Sequence, residues 1–248
     1  MKAGVKVMSD QIISCLIDEA SESPVKEFAI YRHTVYVDSI NVGLASTANA
    51  DPCAEITNIG RMHEMTTGEL AQMMYSDVII EAAIGLAAIN ASLDLTKLRG
   101  RLVHANAVKI LREKGRGKNV SIIGHFPFIE SFIKDNISEN VWVFEKNPKS
   151  ADDLTSDLIP EYIPQSEVVL ISGTTLINHS FGDIVRLAKD SYNILLGPST
   201  PLTPMLFDFG IDAICGVIVA DKEKAKLSLS QGARYRETEG LEFICLTK

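Results

Sequence analysis

The 248-residue chain contains only four cysteines. Cys15, Cys53, Cys215 and Cys245 are scattered and show no C-x-x-C spacing, which argues against a disulfide framework and a zinc ribbon and leaves buried, reduced thiols as the expectation. No segment approaches the ~18 uninterrupted apolar residues of a membrane span, and the opening MKAGVKVMSDQIIS lacks the apolar core of a signal peptide. A cytoplasmic protein with no membrane partner is therefore expected. Positive charge is also in short supply. The formal net charge is −8, which excludes the electrostatic footprint of a nucleic-acid binder, and the small basic cluster in KLRGR and REKGRGK reads as a solvated linker face. H-x-x-x-H and H-E-x-x-H spacings are missing, as are a G-x-S-x-G elbow, a low-complexity tract and an internal repeat.

The first part of the chain mixes element types. SDQIISCLIDEAS places Ile12, Ile13, Leu16 and Ile17 on one helical face, with Ser9 or Asp10 placed to cap it. FAIYRHTVYVDS changes to a strand pattern, with Val35 and Val37 alternating against polar neighbours, and INVGLAS pairs back as a hairpin partner. TTGELAQMMYS carries a threonine cap before a helical run. The alanine-rich DVIIEAAIGLAAINASL is long enough for a buried helical spine.

From about residue 106 strands and helices alternate. NVSIIG, VWVFE, EVVLISG, NILLG and DAICGVIVA are apolar runs, with amphipathic or polar stretches such as FPFIESFIKDN, TLINHSFGDIVRLAKD and DKEKAKLSLSQ between them, and LEFICLT closes the series. That rhythm predicts an α/β fold with a mostly parallel, Rossmann-like sheet covered on both faces. It follows a smaller α+β domain, giving domains at 1–100 and 101–248 with the boundary in KLRGRLVHANAVKILREKGRGKN.

Open parallel sheets bind ligands beyond the carboxyl ends of their strands, so the residues after each apolar run are the candidates. These are Gly124, His125, Phe126 and Pro127; Glu145, Asn147 and Pro148; Ser172, Gly173, Thr174 and Thr175; and Gly197, Pro198, Ser199, Thr200 and Pro201. Any one of these tips is also ordinary turn and capping chemistry, but four converging on one edge favour a site. The first turn lacks G-x-G-x-x-G and carries bulky Phe126 and Pro127, which disfavours standard NAD binding. Glu145, about 21 residues after Gly124, stands where such folds place an acid on a ribose diol. SGTTLINHS offers backbone N–H groups and hydroxyls to an anion, with Asn178 and His179 in the next turn. The proline-rich GPSTPLTP suggests a rigid pocket wall, with Asp208 as either a cap or a pocket carboxylate. His125 and His179 are the metal candidates, with Glu145 and Cys215 behind them, and no spacing forms a ready-made site.

The motifs IGHFPFI, FEKNP, SGTTLINHS and LGPSTPLTPMLFDFGIDAICGVIVAD resemble a bacterial and archaeal family of heavy-metal chelation proteins, domain of unknown function 364. INVGLAS and EAAIGLAAINA resemble the small domain that precedes it, of enolase N-terminal-like fold. The resemblance implies a site in the cleft between the two domains and a part in handling or making metal-chelating compounds. It carries Gly124, Phe126, Pro127, Glu145, Asn147, Pro148, Ser172, Gly173, Thr174, Thr175, Asn178, Gly197, Pro198, Pro201 and Asp208 into that site. Three functional readings remain open. One is a binder of a small polar or anionic ligand such as a metal-chelating compound, with Thr174 and Thr175 on the anionic group and Phe126 stacked on any ring. Another is an enzyme using a nucleotide-like cofactor such as S-adenosylmethionine, with Glu145 on the ribose. The last is a metallochaperone acting through His125 or His179. A homodimer is an expectation on general grounds, closed symmetric oligomers being common.

Overall fold

The structure, a computed structural model, describes residues 2–98, 100–104, 107–148 and 150–248, with side chains from residue 8 onward. Arg99, Ala105 and Asn106, which belong to the expected boundary segment, lie outside the described residues.

Helix α1 (Lys2–Glu19) leads into a small antiparallel sheet of β1 (Glu27–Ile30), β2 (Thr34–Asp38) and β3 (Val42–Ser46), paired in the order β1-β2-β3. The short α2 (Thr67–Ala71) begins at a capping box in which the Thr66 hydroxyl accepts the Glu69 N–H and the Glu69 carboxylate accepts the Thr66 N–H. Helix α3 (Ile79–Ser92) is buried along nearly its whole length, as its alanine content predicts. The sheet reaches α3 through Gly43, where a Cβ would stand 2.0 Å from the Ala87 carbonyl oxygen. Only glycine permits that approach. Ser9 and Asp10 lie inside α1 rather than at its cap, because the helix begins earlier than the apolar pattern does.

After α4 (Ala107–Lys114), the chain alternates through β4 (Asn119–Ile123), α5 (Ile129–Lys134), β5 (Asn140–Phe144), α6 (Ile159–Tyr162) and β6 (Val168–Ser172). It continues through α7 (Thr174–Ile177), α8 (Phe181–Leu187), β7 (Tyr192–Leu196), β8 (Ala213–Val219), α9 (Lys222–Ser230) and β9 (Leu241–Thr247). The six strands lie in the order β5-β4-β6-β7-β8-β9, all parallel except β9, which returns antiparallel beside β8. This mixed α/β arrangement of two sheets matches the expected fold class. The segment read as one helix after β6 is broken in two, because His179 adopts a left-handed φ of 59° between α7 and α8. The Asn178 carboxamide then accepts both the N–H and the hydroxyl of Ser180.

One apolar core runs through both layers, joining Ile12, Leu16, Ile84 and Leu86 to Ile171, Leu195 and Phe207. Polar ties reinforce the joint. The Lys222 ammonium meets both Asp38 oxygens at 2.7 and 2.8 Å, the His179 Nε2 contacts the Met74 carbonyl at 2.8 Å, and α1 packs on α8 with the Ser9 hydroxyl donating to the His179 carbonyl. The cysteine expectation needs correction: Cys215 and Cys245 face each other directly across β8 and β9 and form a disulfide. They stand 30 positions apart in sequence, so only strand pairing reveals the match. Cys15 and Cys53 are free thiols.

Candidate site at the carboxyl ends of the parallel strands

From β4 the chain passes to β5 on one side and then returns to place β6 on the other, so the strand order reverses between β4 and β6. A crevice opens at such a reversal. It widens here into a cleft of about 1640 Å³ between the strand tips and the small sheet with its loops, lined there by Thr34 of β2, His33 of the turn before it, and Ala48 and Asn49 after β3.

The β4 tip turns at Gly124, whose φ of 100° and close approach to the Ser172 Cβ (3.1 Å from a built Cβ) call for glycine. The next N–H, of His125, donates to the Glu145 carboxylate at 3.0 Å and so ties the β4 and β5 tips together. The other Glu145 oxygen accepts the Asn147 N–H at 3.4 Å. A ribose diol at Glu145 would have to share oxygens already holding the loop. The His125 Nδ1 lies 3.1 Å from both oxygens of Asp153, whose side chain is 2% exposed and also accepts the Ser150 N–H. A carboxylate can only accept, so this geometry puts a proton on Nδ1, and in the neutral ring the lone pair is then on Nε2. Nε2 bonds to no described residue. Phe126 lines the cleft but is 8% exposed and stacked on Phe128, which leaves little of its face for a ligand ring. Asn147 reaches the small layer through Asn49 at 3.1 Å.

The β6 and β7 tips are built differently. The Gly173 N–H donates to the Leu196 carbonyl at 2.8 Å, and the Thr174 N–H faces the Ser172 hydroxyl at 3.4 Å. The Ser172 and Thr174 hydroxyls bond to each other, and the buried Thr175 hydroxyl donates to the Ser172 carbonyl. Helix α7 has only four residues. Two of the three amides expected to cradle an anion thus have protein partners, and a four-residue helix adds little dipole. The Ser199 hydroxyl, 1% exposed, accepts the Ser46 N–H of the small sheet at 2.9 Å. Farther along, the Thr203 hydroxyl accepts the Met205 N–H and donates to Glu19. The proline-rich loop is thus a brace between layers.

Of the expected residues, Gly124, His125, Phe126, Pro127, Glu145, Asn147, Ser172, Gly173, Thr174, Thr175, Asn178, His179, Gly197, Pro198 and Ser199 line the cleft. Four do not. Thr200 is buried beneath Gly173, Pro201 is buried with it, Asp208 is exposed on the turn Pro204–Phe209, and Pro148 is exposed away from the lining.

Sequence reasoning missed Asp153 and also the loop before β9, which brings Arg234, Tyr235, Arg236 and Glu237 to the cleft. The strand rhythm could have located that loop, because an antiparallel β9 must begin at the edge where β8 ends. Neither guanidinium forms an ion pair with a described residue, nor does the ammonium of Lys146 on the β5 tip. Burial pushes the Tyr235 phenol up, against the pull of Arg236, so its hydroxyl keeps its proton at neutral pH and can donate. Asp10, Asp77 and Asp183 reach the cleft from α1, the turn before α3 and α8.

No group of three or more His, Cys, Asp or Glu residues able to hold a metal ion occurs among the described residues. Nor is any described helix long and apolar enough to cross a membrane.

Residues 13–93 match the family DUF4213 and residues 106–242 match DUF364, both described as "Putative heavy-metal chelation". An uncharacterized protein of Methanocaldococcus jannaschii is 31% identical over 166 residues, covering 65% of this chain and 63% of its own length. A DUF364-family protein of unknown function from Desulfitobacterium hafniense has the same fold, with a TM-score of 0.84 at 22% identity over 97% of this chain and 98% of its own. Another from Pyrococcus horikoshii gives 0.81 at 21% identity over 97% of this chain and all of its own. The chain belongs to the DUF364 family, preceded by its DUF4213 companion region, and that membership supports a general chelation-related role.

Proposed function

We propose that the protein binds a small, polar, anionic organic ligand in the cleft between a small α+β domain (1–100) and a Rossmann-like domain (101–248), and that this ligand is a metal-chelating compound or a precursor of one. The observation that carries the reading is that Arg234, Arg236 and Lys146, three cations without ion-pair partners among the described residues, all line one large cleft, the arginines before β9 and the lysine at the β5 tip. In a chain of net charge −8, cations left unpaired at one concavity favour an anion there, and arginine suits carboxylates in particular. The tyrosine between the two arginines adds a neutral donor. The family description supports the chelator identity. Glu145, the residue expected on a ribose, already accepts two loop N–H groups, which weighs against the nucleotide-like cofactor.

Native mass spectrometry of protein purified without chelators, beside a denatured sample, tests this reading. The expected result is an organic anion that co-purifies with the wild type and is lost from the Arg234→Ala/Arg236→Ala variant. A mass retained by that variant would contradict the assignment.

A further inference from the structure

A metal named by the family description finds no ordinary seat here. Structural and catalytic sites for ions such as zinc use three or four protein ligands, yet no described group of three His, Cys, Asp or Glu residues is close enough to hold an ion. The His179 Nε2 is engaged with the Met74 carbonyl. His125 is the exception. Its ring is 17% exposed at the cleft, its Nδ1 is fixed by a buried carboxylate, and its Nε2 bonds to no described residue. A carboxylate on one ring nitrogen with a lone pair on the other is the arrangement that orients metal-binding histidines. One imidazole cannot hold a bare ion, but it can complete the shell of an ion that arrives with most of its ligands.

We propose that the cleft takes its metal already wrapped in an anionic organic chelator. His125 Nε2 fills one open coordination position, Asp153 orients that ring, and Arg234 and Arg236 pair with the chelator's carboxylates. The inference rests on the cleft reading above and adds the metal to it. The cleft's volume of about 1640 Å³ exceeds the ~300–1,000 Å³ of ordinary ligand pockets, leaving room for a whole complex.

Copper nitrilotriacetate is a suitable probe, because its four donor atoms leave copper open to one imidazole. Calorimetric titration would compare it with metal-free nitrilotriacetate and with bare Cu²⁺, and electron paramagnetic resonance would read the nitrogen coupling. The copper complex should bind the wild type about tenfold or more tighter than the metal-free chelator, with one added nitrogen in the spectrum. His125→Gln should erase both the gain and the added nitrogen, and Asp153→Asn should reduce the gain. Arg234→Ala/Arg236→Ala should weaken the complex and the free chelator alike. Equal affinity for both forms, unchanged in His125→Gln, would overturn the metal inference and leave the cleft reading standing. Failure of both to bind would overturn the two together. Tight, stoichiometric binding of bare Cu²⁺ that survives Arg234→Ala/Arg236→Ala would show a site for the ion alone and overturn the chelate.

Discussion

The two sides of the strand-order reversal look alike in sequence and differ in the folded protein. At the β6 and β7 tips, the polar atoms of Ser172, Gly173, Thr174, Thr175 and Ser199 bond to one another, to β7 or to the small sheet. At the β4 and β5 tips, Glu145 and Asp153 hold the backbone and ring of His125 in place, and the ring's second nitrogen is left without a described partner. A hydroxyl or amide at a strand tip therefore says little about binding until its hydrogen bonds have been followed. Polar groups satisfied across the joint between two layers support position and stability, whereas a group oriented on one side and open on the other supports chemistry.

The contrast is open to attack by mutation. The largest expected effect is on the brace. A methyl group at Gly173 would stand 2.9 to 3.1 Å from Thr200 Oγ1, the Thr200 nitrogen and the Ser199 carbonyl carbon, two of them backbone atoms that cannot swing away. Gly173→Ala should cost about 3 kcal/mol in urea denaturation.

A buried carboxylate outside the cleft provides a second comparison. Burial opposes ionisation of Glu81, but bonds from the Ser76 hydroxyl and from the Thr57 N–H and hydroxyl outweigh it and hold the carboxyl below its ordinary value near 4.5. Because the folded value is depressed, the stabilisation is present above the unfolded value and is lost as the pH falls through the folded one. Glu81→Gln should lower stability by about 2 kcal/mol at pH 7 and flatten the acid limb of the stability profile. An unchanged acid limb would contradict this account of Glu81.

Smaller effects should separate bracing from binding. Ser199→Ala leaves the Ser46 N–H without its acceptor and should cost about 1 kcal/mol in the same denaturation experiment. Thr174→Val removes one hydroxyl from a pair that already satisfies itself. It should change ligand affinity by less than about twofold, whereas a binding role for Thr174 would show a larger loss.

Local patterns carried much of the fold. The strand Thr34–Asp38, the Thr66 cap and the alanine-rich α3 are near-neighbour features that appear where periodicity and capping chemistry put them, although that strand is buried at all five residues rather than alternating between a buried and an open face. The converging strand tips were legible for the same reason, since a parallel sheet gathers them on one edge. What the sequence left hidden depends on distant partners. The Gly173 amide meets Leu196, Ser199 meets Ser46 across 153 positions, and Cys215 meets Cys245 only through strand register. Asp153 lies in an irregular stretch with no periodicity to flag it, 28 positions from the histidine that it orients. Arg234 and Arg236 look like a polar turn until β9 is known to run antiparallel.

The most direct test of the central contrast is a side-by-side titration of His125→Gln and Ser199→Ala with copper nitrilotriacetate, at a temperature where both are folded. The account predicts that His125→Gln loses the affinity gained from the metal while Ser199→Ala binds like the wild type. Equal losses in the two variants would contradict it, by showing that the brace and the open histidine act as one.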